Sequence, residues 1–395
     1  MVSRSLPFHR AGGMEFAAWD LARALVDSGL DVALLTTRIE GRADLFIEDG
    51  VSVVPLGEAA PGMYSRDFWR TSGEWFRRNA GRVGAVLSVS AGAYGLLSER
   101  PRQPDVRFIL QAHGTAVGEI HAKLSTASPV LWLRSVRNIA SLPRDLRAYP
   151  RFDRVVAVGP AVARQLTALP LSRVLPPEGV TVIENGIDTR RFRKDPSAGA
   201  EVRASLGWDA DDLVVATVSR MHRQKGVGEA LRGFTEYARR RADKEPRVRW
   251  LVVGDGPVRE AIEAEASRLL PPDAYRFVGG VMRSRVADFY NAADVFLFTT
   301  RHLEGLPLNV LEAAATGLPL VLSRTLRDGL DLPGPAWYVD PTAPDQVAGA
   351  LDEAVEGIAD ASAVPEQGVS KLPDRYTLTR SAALYAEVLF PGATQ

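Results

Sequence analysis

The amino-acid sequence predicts an α/β protein made of two facing Rossmann-like, doubly wound domains with parallel sheets, and three observations lead there. Short β-rich runs alternate with longer helical patterns; the runs are apolar on both faces; and the chain has 395 residues, more than one hydrophobic core usually organises. Helices covering both faces of parallel strands satisfy all three.

In chain order the first half carries DVALLTT, VSVVPL, VGAVLSVS, VRFILQA, FDRVVAVG and VTVIENG. The second half repeats the habit with LVVATVS, VRWLVVG, YRFVGG, DVFLFTT, LPLVLS and AWYVD. Each is four to eight residues long, rich in Val, Ile and Phe, and bounded by turn residues, which reads as a buried strand. Gly12 and Gly13 precede an amphipathic helix with Phe16, Trp19, Leu21, Ala22 and Leu25 on its apolar face. The strand before them is very short. The segment RRFRKDPSAGA, after Asn185-Gly186-Ile187-Asp188, is polar, contains Pro196 and reads as a linker. The expected domains are therefore residues 1–190 and 191–375, with a final helix over 376–391 returning to the first. Doubly wound sheets bind ligands beyond the carboxyl ends of their strands, so the expected site is the cleft between the domains.

Composition narrows the function classes. Lys and Arg total 48 and Asp and Glu total 48, a balance that gives no electrostatic footprint for nucleic acid. The absence of cysteine excludes disulfides, thiolate metal sites and thiol nucleophiles. MVSRSLPFHRAGG has no apolar core followed by a small-residue cleavage site, and no apolar run reaches membrane-spanning length, so the expectation is a soluble cytoplasmic protein.

The most informative stretch holds Glu304 and Glu312. From Gly305 to Ser323 the sequence GLPLNVLEAAATGLPLVLS carries no charge except Glu312. A carboxylate in so apolar a run is costly unless it meets a polar partner. Pro307 suits the first position of a helix, which would place Glu312 roughly 7–8 Å along the axis with Glu304 on the loop in front. The N–H groups of Leu306, Leu308 and Asn309 would then present the positive end of the helix dipole between the two carboxylates. A ligand with hydroxyls at both ends and negative charge in the middle fits. A nucleotide-diphosphate sugar has that order.

Other candidates sit just after strands. Arg220 and Lys225 follow LVVATVS, where two cations would neutralise a pyrophosphate and stabilise it as it departs. Gly12 and Gly13 would let a phosphate or sugar approach bare backbone. His113 follows VRFILQA, and reads equally as a sugar contact or as a hydrogen-bonded structural histidine. Gly254-Asp255-Gly256-Pro257 is accounted for by a tight turn. Asp209-Ala210-Asp211 spells a D-x-D metal motif but precedes a strand, so it is read as a solvated turn and no metal is expected. Two stretches, 64–82 and 131–151, mix arginines with aromatics. They fit peripheral contact with an anionic membrane face or a lipid-linked acceptor, and fit equally well buried aromatics with a solvated basic flank.

With these motifs in order, the chain resembles family 4 glycosyltransferases of GT-B architecture over nearly its whole length. The resemblance rests on Gly12-Gly13, His113-Gly114, Glu184-Asn185-Gly186-Ile187-Asp188, Arg220 with Lys225-Gly226, Val253-Gly254-Asp255-Gly256-Pro257, and the E-x7-E element from Glu304 to Glu312. It implies a retaining, metal-independent transferase that needs no cofactor and moves a sugar from a UDP-, GDP- or ADP-sugar to an acceptor hydroxyl. It further implies that Glu312 holds the ribose, Glu304 and His113 the donor sugar, Arg220, Lys225 and Gly13 the diphosphate, and backbone near Val281 and Met282 the base. Leu306-Pro307 departs from the aromatic-glycine pair common in the family, at the position that bears on donor sugar. The alternatives are an epimerase or phosphorylase on the same fold, or a two-domain sugar-binding protein without chemistry. A glycoside hydrolase would need its carboxylates about 5–9.5 Å apart across one bond, closer than a loop plus a helical turn predicts.

Overall fold

Each strand-forming run is apolar on both faces, so it is stable only between two helical layers. The computed structural model describes residues 1–10, 12–57, 60–115, 142–301, 304–332, 334–359, 370 and 372–392. The chain divides into two compact units: Met1–Gly186 with Arg375–Gln395, and Ile187–Asp374.

The first unit contains β1 (Ala33–Thr37), β2 (Phe46–Glu48), β3 (Val51–Leu56), β4 (Ala85–Val89), β5 (Arg107–Ala112), β6 (Arg154–Ala157) and β7 (Val180–Val182). They run in the orders β1-β3-β2 and β4-β5-β6-β7. Val2 joins the two sets, pairing in parallel with Leu35 on β1 and Ser88 on β4. The short first strand is thus a single bridged residue between neighbours. One pairing departs from the all-parallel expectation: β2 and β3 form an antiparallel hairpin. β2 is a three-residue strand whose Ile47 is exposed, so it leaves no apolar run to read.

Both faces of this sheet are covered. Leu87, Ile109 and Val156 pack with Trp19, Leu21 and Leu25 of the helix Gly13–Asp27 and with Tyr385 and Leu389 of the helix Leu378–Leu389. Val86, Phe108 and Val155 face Phe68, Phe76 and Phe152. That second layer takes in the aromatics of residues 64–82. Phe68 and Phe76 of the helix Arg66–Asn79 are fully buried, and Trp69 donates its indole N–H to the Ala91 carbonyl at 3.0 Å. Arg70 pairs with Glu74 and Arg77 with Glu99. The phenylalanines are core, and Arg70, Arg77 and Arg78 are ion-paired on the flank. Residues 131–141 of the other basic stretch lie outside the described residues.

In the second unit β8 (Leu213–Val218), β9 (Val248–Val253), β10 (Tyr275–Gly279), β11 (Val295–Phe298), β12 (Leu320–Ser323) and β13 (Ala336–Val339) form one parallel sheet. Its order is β10-β9-β8-β11-β12-β13. The order reverses between β8 and β11, so the segments leaving these two strands diverge to opposite faces and open a crevice at the carboxyl edge. At the opposite edge, Asp209 pairs with Arg247 at 2.8 Å and buried Asp212 with Arg249 at 2.9 Å. Among the described residues no helix is long and apolar enough to cross a membrane.

Candidate active site

The loop after β8 is stitched to the loop after β11. Thr299 Oγ1 donates to the Gly226 carbonyl at 2.8 Å, and Thr300 Oγ1 and the Arg301 N–H each donate to the Gln224 carbonyl at 3.0 Å. Gly226 is required here. Its φ is +69°, and a Cβ would stand 1.7 Å from the Thr299 carbonyl oxygen. Gly254, with φ +133°, meets the same constraint one strand over, where a Cβ would lie 1.9 Å from the Ser219 carbonyl oxygen. The turn that explains Gly254-Asp255-Gly256-Pro257 is therefore also a backbone contact between adjacent loops.

This stitching brings Lys225 onto Glu304. Lys225 Nζ lies 2.8 and 3.0 Å from the two carboxylate oxygens, and the Thr300 hydroxyl, which shares its one proton with the Gln224 carbonyl, lies 3.0 Å from Glu304 Oε1. The side chains are 25% and 11% exposed, so solvent screens the pair only in part. Two residues read as separate contacts thus form one ion pair. Arg220, one turn nearer β8, is exposed, and among the described residues its guanidinium has no ion-pair partner.

Glu312 sits in the helix Leu308–Ala315 and is 3% exposed. Pro307 is not the first helical residue, as expected, but the N-cap, with ψ of 111°. Its carbonyl already takes the N–H groups of Val310 and Leu311, while Asn309 Nδ2 donates to the Val218 carbonyl at 2.9 Å and ties the first turn to β8. Among the described residues, the N–H groups of the helix without a backbone partner are consequently those of Leu308 and Asn309. Leu306 precedes the cap and does not belong to that set. Tyr290 donates its hydroxyl to Glu312 Oε2 at 3.0 Å, and Arg283 forms an ion pair with Glu312 Oε1. Burial and the adjacent carboxylate push the Tyr290 hydroxyl well above its ordinary pKa, so it stays a donor.

The polar partner demanded by the apolar run is therefore, in the first instance, protein. Neither Arg283 nor Tyr290 was among the sequence candidates. Arg283 had one usable signal: it follows Val281 and Met282 at the carboxyl edge, after β10. Tyr290 had none, since an aromatic on an amphipathic helix reads as core. Met282 is 73% exposed, and its carbonyl accepts the Arg285 N–H at 2.9 Å. That leaves fewer backbone groups near Val281 and Met282 for a ligand than the sequence suggests.

In the first unit, partly buried His113 follows β5 with Nε2 3.1 Å from Gln111 Oε1, and Gln111 Nε2 donates to the Tyr385 hydroxyl at 2.8 Å. This network places the proton on Nε2 and leaves Nδ1 as an acceptor. Burial lowers the His113 pKa to about 4, opposed weakly by Glu15. The imidazole is neutral at pH 7 and can exchange a hydrogen bond with a hydroxyl without adding charge. A stability effect follows. The unfolded histidine takes a proton near pH 6.5 while the folded one resists until about 4, so stability is full above pH 6.5 and falls as pH drops through that window. The loss is on the order of 3 kcal/mol. Urea titrations at pH 7 and 4.5 should show it, and H113N should flatten the difference by that amount.

Gly12 is extended (φ −167°), a conformation open to any residue. Its missing Cβ instead makes room for Glu15, whose Oε2 lies 2.3 Å from where that atom would be. Among the described residues nothing lies within 4 Å of the corresponding point at Gly13. Of the pair, Gly13 is the one with open space before it.

Comparison with known proteins places this geometry. Residues 11–191 match the family model for Glycosyltransferase Family 4, and residues 200–362 the model for glycosyl transferases group 1. The chain is 28% identical over 320 residues to a GDP-mannose-dependent alpha-(1-6)-phosphatidylinositol monomannoside mannosyltransferase of Mycolicibacterium smegmatis, covering 78% of this chain and 76% of that one. It is 27% identical over 407 residues to a D-inositol 3-phosphate glycosyltransferase of Thermobispora bispora, covering 96% and 89%. In fold it is similar to sucrose-phosphate synthase from Thermosynechococcus elongatus, with a TM-score of 0.76 at 20% identity over 98% of this chain and 94% of that one. It is also similar to Anabaena HepE in complex with UDP-glucose, with a TM-score of 0.71 at 16% identity over 96% of both. With two family models matching in succession, a GT-B fold throughout, and paired carboxylates at the switch point of the second sheet, the chain belongs to glycosyltransferase family 4 and is a retaining glycosyltransferase that uses a nucleotide-sugar donor.

Proposed function

We propose that the second unit holds the donor along the line from Glu304 to Glu312. Glu312 accepts the ribose hydroxyls, the N–H groups of Leu308 and Asn309 with Arg220 and Lys225 receive the diphosphate, and Glu304 accepts hydroxyls of the sugar. Backbone near Val281 and Met282 meets the base. His113 serves a sugar hydroxyl as a neutral partner. One observation carries this reading: two carboxylates flank the amino end of the helix Leu308–Ala315, and each is charge-matched by a cation from a neighbouring loop.

In the reaction the bond between the anomeric carbon and the diphosphate oxygen breaks, and its electron pair leaves with the nucleoside diphosphate. Arg220, Lys225 and the helix amino end are suited to stabilise that charge. The acceptor hydroxyl oxygen bonds to the anomeric carbon on the face being vacated, and its proton passes to the leaving phosphate oxygen. Configuration is retained without a protein nucleophile.

The names of the relatives make GDP- and UDP-sugars the first donors to test and inositol-bearing compounds the first acceptors. Thermal shift against UDP, GDP, ADP and their sugars should raise the melting temperature with one base preferred, because a ligand of the native state stabilises by mass action. Turnover with inositol 3-phosphate or a phosphatidylinositol mannoside then identifies the acceptor. If no nucleoside diphosphate shifts the melting temperature, the donor assignment fails.

A further inference from the structure

We propose that the carboxyl edge of the first unit's sheet carries an anion site, in which Arg4 and Arg144, set on a stack of aromatic rings, recognise a phosphate group on the acceptor. The inference deepens the proposed transfer to an acceptor hydroxyl and rests on that reading.

Neighbouring loops build this edge. Arg4 follows Val2, the residue bridged between β1 and β4, and its carbonyl oxygen is 2.8 Å from Thr37 Oγ1 at the end of β1. Tyr64 and Trp69 come after β3 and are tied to the end of β4: the Tyr64 hydroxyl donates to the Val89 carbonyl at 3.1 Å, and the Trp69 indole N–H donates to that of Ala91. Tyr94 lies beyond β4. The three rings stack in series, Tyr64 on Trp69 with centroids 5.8 Å apart and Trp69 on Tyr94 at 6.4 Å. None of the three is fully buried.

Two cations lie on this stack. The half-buried Arg4 guanidinium stands over Tyr64, 4.7 Å from the ring centroid, and the exposed Arg144 guanidinium over Trp69 at 4.8 Å. Both charges act on the Tyr64 hydroxyl, whose pKa burial pushes up to about 12 against the pull of Arg4 and Arg144. Among the described residues neither guanidinium has an ion-pair partner, and the buried Arg4 Nε meets no hydrogen-bond acceptor. Asp145 attracts Arg144 only at longer range, because it is turned to Tyr94, whose hydroxyl donates to Oδ1 at 3.0 Å. Two guanidinium groups thus face one carboxylate.

Partial burial of a cation without an acceptor costs free energy, and the face of an aromatic ring offsets only part of that cost. An anion would supply the rest. A phosphate monoester carries between one and two negative charges near neutral pH, and its oxygens match the planar fork of a guanidinium. Doubly wound sheets bind ligands at their carboxyl edge, and with the donor assigned to the second unit, this edge of the first is left for the acceptor. A neutral acceptor gives Arg4 and Arg144 nothing. Selection therefore falls on acceptors that carry phosphate, whether a free polyol phosphate or a lipid headgroup.

Calorimetry of the full chain with inorganic phosphate should show a binding event that R4Q or R144Q weakens at least tenfold, that R4K restores in part, and that persists in R220Q. Transfer from the preferred donor separates the sources. The kcat/KM ratio of inositol 3-phosphate to inositol, or of a phosphatidylinositol mannoside to an alkyl mannoside, should exceed ten in wild type and fall at least tenfold in R4Q, through KM rather than kcat. Phosphate binding that is absent, or unaltered in folded R4Q and R144Q, overturns the site. Equal use of both members of each pair overturns its role in acceptor choice. If phosphate binding depends on Arg4 while no nucleoside diphosphate shifts the melting temperature, the donor assignment has failed and the anion site has not.

Discussion

Glu312→Gln should weaken binding of the preferred nucleoside diphosphate by at least 100-fold and reduce transfer at least as much. The ribose hydroxyls would lose an ionised acceptor, and each hydrogen bond to a charged group contributes about 1.5–3 kcal/mol. Two of them correspond to roughly 10²–10⁴ in affinity. Arg283 would meanwhile lose the carboxylate it pairs with inside a site where Glu312 is 3% exposed. Breaking such a pair from one side costs about 3–5 kcal/mol when the remaining charge is buried, and the partial exposure of Arg283 should keep this case toward the lower end. The two effects separate experimentally: calorimetry at a temperature where the variant is folded reads the ligand contact, and urea unfolding without ligand reads the ion pair. Wild-type affinity in a folded Glu312→Gln variant would remove Glu312 from the donor site.

Lys225→Met should lower kcat by about 10²–10³, the range seen when one preorganised donor to a developing negative charge is removed. The stability effect should be smaller, about 1 kcal/mol, because the Lys225–Glu304 pair is partly solvated. The pairing itself makes a sharper test. If Lys225 both serves the diphosphate and holds Glu304 in place, then Glu304→Gln in the Lys225→Met background should cost much less in kcat/KM than in wild type. Strictly multiplicative effects would show that the two residues act apart, and a wild-type kcat in Lys225→Met would exclude Lys225 from leaving-group stabilisation.

Much of this arrangement can be read before any coordinates. Runs such as LVVATVS and DVFLFTT are strands because β-branched and aromatic residues fill both faces of a buried pleat, and they appear as β8 and β11. Glu304 and Glu312 stood out because an ionised group in apolar surroundings calls for a partner. What failed locally failed for identifiable reasons. β2 has no apolar run because it is an edge strand with exposed Ile47. Pro307 caps its helix instead of opening it, because its missing N–H is tolerated at either position and its extended ψ of 111° leaves Leu308 as the first helical residue.

The sequence by itself determined the repeating strand–helix units, the carboxyl-edge loops that carry the charged residues, and the presence of two carboxylates needing partners. Those are properties of short-range periodicity and of the cost of isolating charge, and they need no knowledge of what lies nearby in space. Only the tertiary structure decided which partner each carboxylate meets: Lys225 for Glu304 across 79 positions, and Arg283 with Tyr290 for Glu312. The reason is the strand order, which sets β8 beside β11 although β9 and β10 lie between them in the chain. An ion pair between two loops exists only once a sheet has put their strands side by side, and no local feature of either loop encodes that adjacency.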